Sequence, residues 1–162
     1  AIAGGLVGMG VGSAACYFAT AGTISVVAGG GSVWSMNALQ RGNIIEKALG
    51  GMCNNFPTID KIIKGTRGFA SSIISIKSLN TLANTYQKGS AIYNTVMNYA
   101  KALSKFSSMT WGGLSVKVNS ATSRILMLAI PASTNKTQML QISKAVSDAA
   151  KMGIEIVIKY IK

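Results

Sequence analysis

The sequence predicts a mixed α/β fold (α+β in its segregation of elements), with one sheet carrying helices on its faces. Three observations predict it. Segments of helical period around residues 37–50, 91–106 and 136–152 alternate with β-branched runs around 58–63, 69–79, 124–130 and 154–161, the pattern of layered α/β domains. The 162 residues are 49% apolar and only 12% charged, enough for one domain with a proper core. No charged side chain precedes Arg41, so a Gly/Ala-rich apolar segment, residues 1–38, is set off from a globular domain, residues 39–162.

In that first segment Gly4, Gly8 and Gly12 recur four residues apart, which on a helix makes a smooth stripe for close packing. The run Ile24–Ala28 precedes Gly29-Gly30-Gly31, a helix breaker. The uncharged stretch has the length of a membrane span but is diluted by Gly and Thr, leaving two readings: a membrane-contacting or translocation segment, or a packing arm. The chain opens at Ala1 with no Met and no basic n-region, so it does not read as a secretory signal but as a piece cut from a longer protein.

Asn37 or Ser35 caps a helix carrying Leu39, Ile44, Ile45 and Leu49, ended by Gly50-Gly51. After Pro57, Thr58–Ile63 alternates as a strand with Asp60 among its first residues. Phe69–Leu79 is a second strand, on which Ser75 and Lys77 share one face and Ile74 and Ile76 the other. The intervening stretch from Lys61 to Ser72 looks long, as an inserted loop would. A polar link, Asn80–Gly89, leads to a helix capped by Ser90. Trp111-Gly-Gly113 is a turn with a packed Trp, Leu114–Val118 a half-exposed strand, and Arg124–Ile130 a buried strand ended by Pro131. Thr134 or Asn135 caps the last helix, Gly153 follows it as the C′ residue, and Ile154–Ile161 closes the sheet.

Composition then narrows the chemistry. Sixteen Lys and Arg against four Asp and Glu give a net charge of +12, which favours a polyanionic partner, nucleic acid or an anionic membrane. The chain has no histidine, which excludes Ser-His-Asp and Cys-His catalysis, His-dependent ribonuclease chemistry and imidazole-ligated zinc. Cys16 and Cys53 form no C-x-x-C pair and read as two buried free thiols, with a single disulfide between them as the alternative that the sequence leaves open. Carboxylates are scarce, yet Glu46 and Asp60 lie just upstream of the Ser75-Ile-Lys77 strand. Carboxylates can hold a hard divalent cation, and a nearby lysine can position water and offset phosphate charge. Asp60 and Ser75 are candidate direct metal contacts, and Glu46 a further ligand or one acting through water. The plain alternative is a solvated helix surface at Glu46 and an exposed strand lysine at Lys77. Tyr86, Tyr93 and Tyr99, with Lys88, Lys101 and Lys105, read either as a nucleic-acid surface or, over 93–105, as helix-core tyrosines beside solvated lysines.

The motifs Arg41-Gly-Asn-Ile-Ile-Glu46, Phe56-Pro-Thr-Ile-Asp60, Ser75-Ile-Lys-Ser-Leu79, Tyr86-Gln-Lys-Gly-Ser90 and Trp111-Gly-Gly113 occur in order. Over roughly residues 39–162 the chain resembles the C-terminal nuclease toxins of contact-dependent growth inhibition and related bacterial polymorphic toxins. The resemblance implies a restriction-endonuclease-like fold of the PD-(D/E)xK type and an active site of Glu46, Asp60, Ser75 and Lys77. Ser75 stands where the wider superfamily has an acidic residue. The resemblance further implies a divalent metal (Mg²⁺, Mn²⁺ or Zn²⁺) and cleavage of DNA or, in some branches, transfer RNA. It also implies a cognate immunity protein, and delivery at the end of a larger secreted or surface protein into the target bacterial cytoplasm. A membrane-active pore former built on residues 1–40, and a non-catalytic binding module, are the alternatives of other classes.

Overall fold

The computed structural model describes residues 25–28, 31–51 and 55–162. The readings made on Gly4, Gly8 and Gly12, on Cys16 and Cys53, and on most of the N-terminal segment lie outside the described residues. Among the described residues no helix is long and apolar enough to cross a membrane.

The elements run in the expected order. A two-residue ladder, β1 (Val27–Ala28) with β2 (Gly31–Ser32), leads through a 3₁₀ turn at Val33–Ser35 into α1 (Ala38–Ala48). Next come β3 (Lys61–Lys64), β4 (Ala70–Ser78), a 3₁₀ turn at Asn84–Tyr86 and α2 (Ala91–Ser104). The hairpin β5 (Met109–Trp111) and β6 (Leu114–Val116) precedes β7 (Ser123–Pro131), α3 (Lys136–Ala150) and β8 (Ile154–Ile161).

The main sheet has the order β3-β4-β7-β8, with β3 antiparallel to β4 and the other two pairs parallel. Each parallel pair is joined through a helix, as a parallel connection requires. Strand parity divides the core. Ile73, Leu126, Leu128, Ile130 and Ile154 face α2 and α3, while Ile74, Ile76 and Ala129 face α1 and the 3₁₀ turn through Ile45, Leu49, Val33 and Trp34. With both faces covered, β7 is apolar almost throughout. Trp34 is locked in place by its Nε1–H, which donates to the Ile161 carbonyl at 3.1 Å.

Local sequence explains the helix ends. Asn37 accepts from the Gln40 N–H at 3.0 Å, and Asn135 forms a full capping box with Gln138. Gly153 follows α3 at φ +74°, the left-handed conformation that favours glycine. Across α2 and α3, the Tyr93 hydroxyl donates to Asp148 at 2.9 Å, and Lys144 lies 4.0 Å from the Tyr93 ring centroid.

Four expectations are corrected. The first strand starts at Lys61, so Asp60 precedes it. No loop is inserted between Lys61 and Ser72, because the stretch is the β3–β4 hairpin, closed by a Gly65 N–H to Phe69 carbonyl bond of 2.9 Å. Ser90 occupies the N-cap position of α2 without a side-chain capping bond; its hydroxyl instead accepts from Asn94 at 3.3 Å. The turn at Gly112-Gly113 is present, but Trp111 is 51% exposed, since its hairpin pairs only with itself.

Candidate active site

The site forms where the sheet is incomplete. Lys61 pairs with Ile74, and the ladder ends with the Asp60 N–H donating to the Ile74 carbonyl at 2.8 Å. Beyond that point β4 has no strand on this side among the described residues. The Asp60 carboxylate takes the place of the missing strand: Oδ2 accepts the Ile76 N–H at 2.6 Å. The same oxygen accepts from Lys77 Nζ at 3.3 Å and from Ser75 Oγ at 3.4 Å. Asp60 is thereby 9% exposed and fully engaged through one oxygen.

Parity places Ser75 and Lys77 as the alternation requires. They lie beside Leu126 and Leu128 of β7 in parallel register, on the α2 side, whereas Ile74 and Ile76 turn to α1. Ser75 is 2% exposed. The Lys77 side chain is about a third exposed and so reaches a solvent-accessible space.

Glu46 approaches from the other face. It lies on α1 and lines a cavity of ≈ 450 Å³ that wraps around the open end of β4 and also touches Lys77, Ile76 and Ser78. Partial burial, and then the negative charge of Asp60, raise the Glu46 carboxyl above its ordinary value, with Lys77 pulling the other way. The two carboxylates thus sense each other's charge, and Lys77, ion-paired to Asp60, lines the same cavity as Glu46. Gly51 holds Glu46 in that position: a Cβ at 51 would sit 2.5 Å from Glu46 Cγ, and the Gly51 N–H donates to the Glu46 carbonyl at 2.8 Å.

Of the four residues singled out in the sequence, Asp60, Ser75 and Lys77 are joined by direct hydrogen bonds, while Glu46 makes none to them and shares a cavity with Lys77. The same cavity is lined by Arg41, Asn80, Tyr86 and Tyr99, residues to which sequence reasoning gave no catalytic part. The available signal was Arg41 on the same helix as Glu46, and a tyrosine set with two readings. Tyr93 and Tyr99 do pack against the core as half-buried helix residues, but Tyr99 also turns toward the cavity.

The candidate metal-ligating side chains, Glu46, Asp60 and Ser75, all offer oxygen. Among the described residues no group of three His, Cys, Asp or Glu converges as a metal cage. Glu46 and Asp60, with the Ser75 hydroxyl beside them, match the sparse carboxylate sets that hold Mg²⁺ together with water and substrate phosphate. A cation would also relieve the repulsion that raises Glu46. The residues present therefore fit a hard divalent ion.

The chain is similar to known proteins over most of its length. Deoxyribonuclease CdiA-o11 of Escherichia coli O157:H7 (strain EC869) is 25% identical over 172 aligned positions, covering 99% of this chain and 45% of that protein. Deoxyribonuclease CdiA of Yersinia pseudotuberculosis serotype O:3 (strain YPIII) is 26% identical over 113 residues, 67% of this chain and 10% of that protein. The chain thus spans less than half the length of either relative. In fold it resembles a chain of the CdiA-CT/CdiI toxin and immunity complex from Yersinia pseudotuberculosis, with a TM-score of 0.60 and 23% identity, covering 73% of this chain and 98% of that one. The family model of the CDI toxin restriction endonuclease-like domain matches residues 41–159, from the helix that carries Glu46 to the last strand, and the chain belongs to that family.

Proposed function

We propose that this chain is a toxin nuclease domain that hydrolyses phosphodiester bonds of target-cell DNA with a divalent metal. The observation that carries the reading is the meeting of Asp60, Ser75 and Lys77 at the open end of β4, with Glu46 across the cavity. DNA is preferred to transfer RNA because both curated relatives bear the name deoxyribonuclease.

Asp60 and Glu46 would hold the cation, while Asp60 Oδ2 serves its three donors. Ser75 steadies Asp60 from below. A divalent ion bound there supplies a Lewis acid for the scissile phosphate and lowers the pKa of water. Lys77, fixed by Asp60 yet partly open to solvent, is placed to orient the attacking water and to offset charge on the phosphate. Glu46, on the α1 side of the cavity, would bind the cation directly or through a water. The net charge of +12 draws the polyanion to the domain. A cognate immunity protein is the proposed partner, supported by the toxin–immunity complex that shares the fold. Delivery as part of a longer protein into a target bacterium is proposed from the span of the relatives.

The test is incubation of the purified chain with plasmid DNA, and in parallel with transfer RNA, in Mg²⁺, Mn²⁺ or Zn²⁺. DNA should be cut and EDTA should stop the cutting. A folded protein that leaves DNA intact in every metal refutes the proposal, and cleavage of transfer RNA alone reassigns the substrate.

A further inference from the structure

Arg41 is held in an unusual way for a residue of the first turn of a helix. Its Nη1–H donates to the Met36 carbonyl at 3.1 Å, and its guanidinium lies 5.8 Å from the centroid of the Trp34 ring. Its Nε is buried and makes no hydrogen bond. It forms no ion pair: the salt bridges among the described residues join Lys77 to Asp60, and Lys144 and Lys151 to Asp148. A guanidinium that is oriented, partly desolvated and without a carboxylate is a ready ligand for an anion.

Its surroundings fit the same purpose. Arg41 lines the cavity of Glu46 and Lys77, facing Tyr86 and Tyr99 from the 3₁₀ turn and α2. Ala38 and Leu39, in the first turn of α1, line it too, so the positive end of that helix opens on the space. Burial and then Tyr86 raise the Tyr99 phenol above its ordinary value, and Arg41 lowers it, so the two phenols and the guanidinium are mutual neighbours. A phenol hydroxyl can donate to an anion.

Resting on the nuclease reading above, we propose that Arg41, with the Tyr86 and Tyr99 hydroxyls, grips a backbone phosphate adjacent to the one being cut. The seat fixes the strand relative to Glu46 and Lys77 without contributing to the bond cleavage. Its ligand is the phosphate diester itself, so it carries no sequence preference.

The experiment measures binding of a short fluorescent DNA duplex by the full chain in EDTA, across a series of NaCl concentrations. Arg41→Gln should weaken binding roughly tenfold at low salt and reduce the slope of log K against log salt by about one phosphate contact. Arg41→Lys should keep the slope, since the charge remains, and Tyr99→Phe should weaken binding a few-fold with the slope unchanged. Thermal unfolding is followed on each variant. If Arg41→Gln lowers the melting temperature while affinity and slope stay at wild-type values, the arginine merely packs on Trp34 and the proposal is overturned. If Arg41→Gln does not fold, wild-type affinity in both Arg41→Lys and Tyr99→Phe overturns it as well. Because binding is read without metal, a wild type that cuts nothing removes the nuclease reading while leaving the phosphate seat to be judged on its own data.

Discussion

Replacing Asp60 by alanine should damage stability and activity for separable reasons. The carboxylate serves three donors, and the most demanding is the Ile76 N–H at 2.6 Å, on a part of β4 with no neighbouring strand on that side. Alanine strands this donor where the Asp60 side chain is only 13% exposed, at a cost of about 1–3 kcal/mol. The lost pair with Lys77 adds little, on the order of 0–1 kcal/mol, because that lysine is one-third exposed and regains water. Asp60→Ala should therefore lose about 2 kcal/mol, whereas Asp60→Asn, which keeps an acceptor, should lose less than half of that. Both should abolish cleavage, since neither retains the charge. Urea unfolding followed by circular dichroism, beside the plasmid assay, checks both effects. Equal stability of Asp60→Ala and wild type would refute the claim that this carboxylate completes the sheet edge, and an active Asp60→Asn would remove Asp60 from the chemistry.

Glu46→Gln tests the raised carboxyl. Because the folded chain holds this proton more tightly than the unfolded one, wild-type stability falls as pH rises from the ordinary glutamate value of 4.5 through the folded one. The Gln variant should be more stable at pH 7 by roughly half a kcal/mol, as befits a partly exposed charge; it should show no advantage well below pH 4.5, and it should be inactive. Lys77→Met should abolish cleavage while changing stability by less than about 1 kcal/mol, measured by the same assays. Gly51→Ala should push Glu46 aside, lowering kcat and costing about 1–3 kcal/mol; unchanged kcat would show that Glu46 needs no fixed position. Leu128→Ala, at a fully buried position, should cost about 2–5 kcal/mol in urea unfolding, with activity lost only in proportion to unfolded protein.

Much of the fold was legible because local signals agreed with the global arrangement. Asn37 and Asn135 read as caps and act as caps, and the parity of Ser75 and Lys77 against Ile74 and Ile76 is a matter of strand geometry alone. The scarcity of carboxylates made Asp60 and Glu46 conspicuous. What stayed hidden depends on contacts distant in sequence. Trp111 reads as a core residue, and nothing near it tells that its hairpin forms a ladder of its own and buries Val116 while leaving Trp111 half exposed. Asp60 reads as a strand residue, because alternation cannot show that its side chain, rather than its backbone neighbours, bonds the next residues of β4. Nothing in the sequence near Arg41 tells that the 3₁₀ turn sets Trp34 within 5.8 Å of its guanidinium.

Past Ile74, β4 pairs with no strand on its β3 side among the described residues, which bears on how this domain behaves in a crowded solution. Exposed strand edges invite pairing with other chains, and proteins commonly blunt them with charge. Here the blunting charge is Asp60, which occupies the Ile76 N–H and sets a carboxylate where a foreign strand would dock. Chemistry and solubility are thus entrusted to one side chain. A variant silenced by Asp60→Ala would offer a sticky ribbon in place of a protected one, and would aggregate during expression more readily than one silenced at Lys77. The inert reference protein for toxicity work is better made at the lysine.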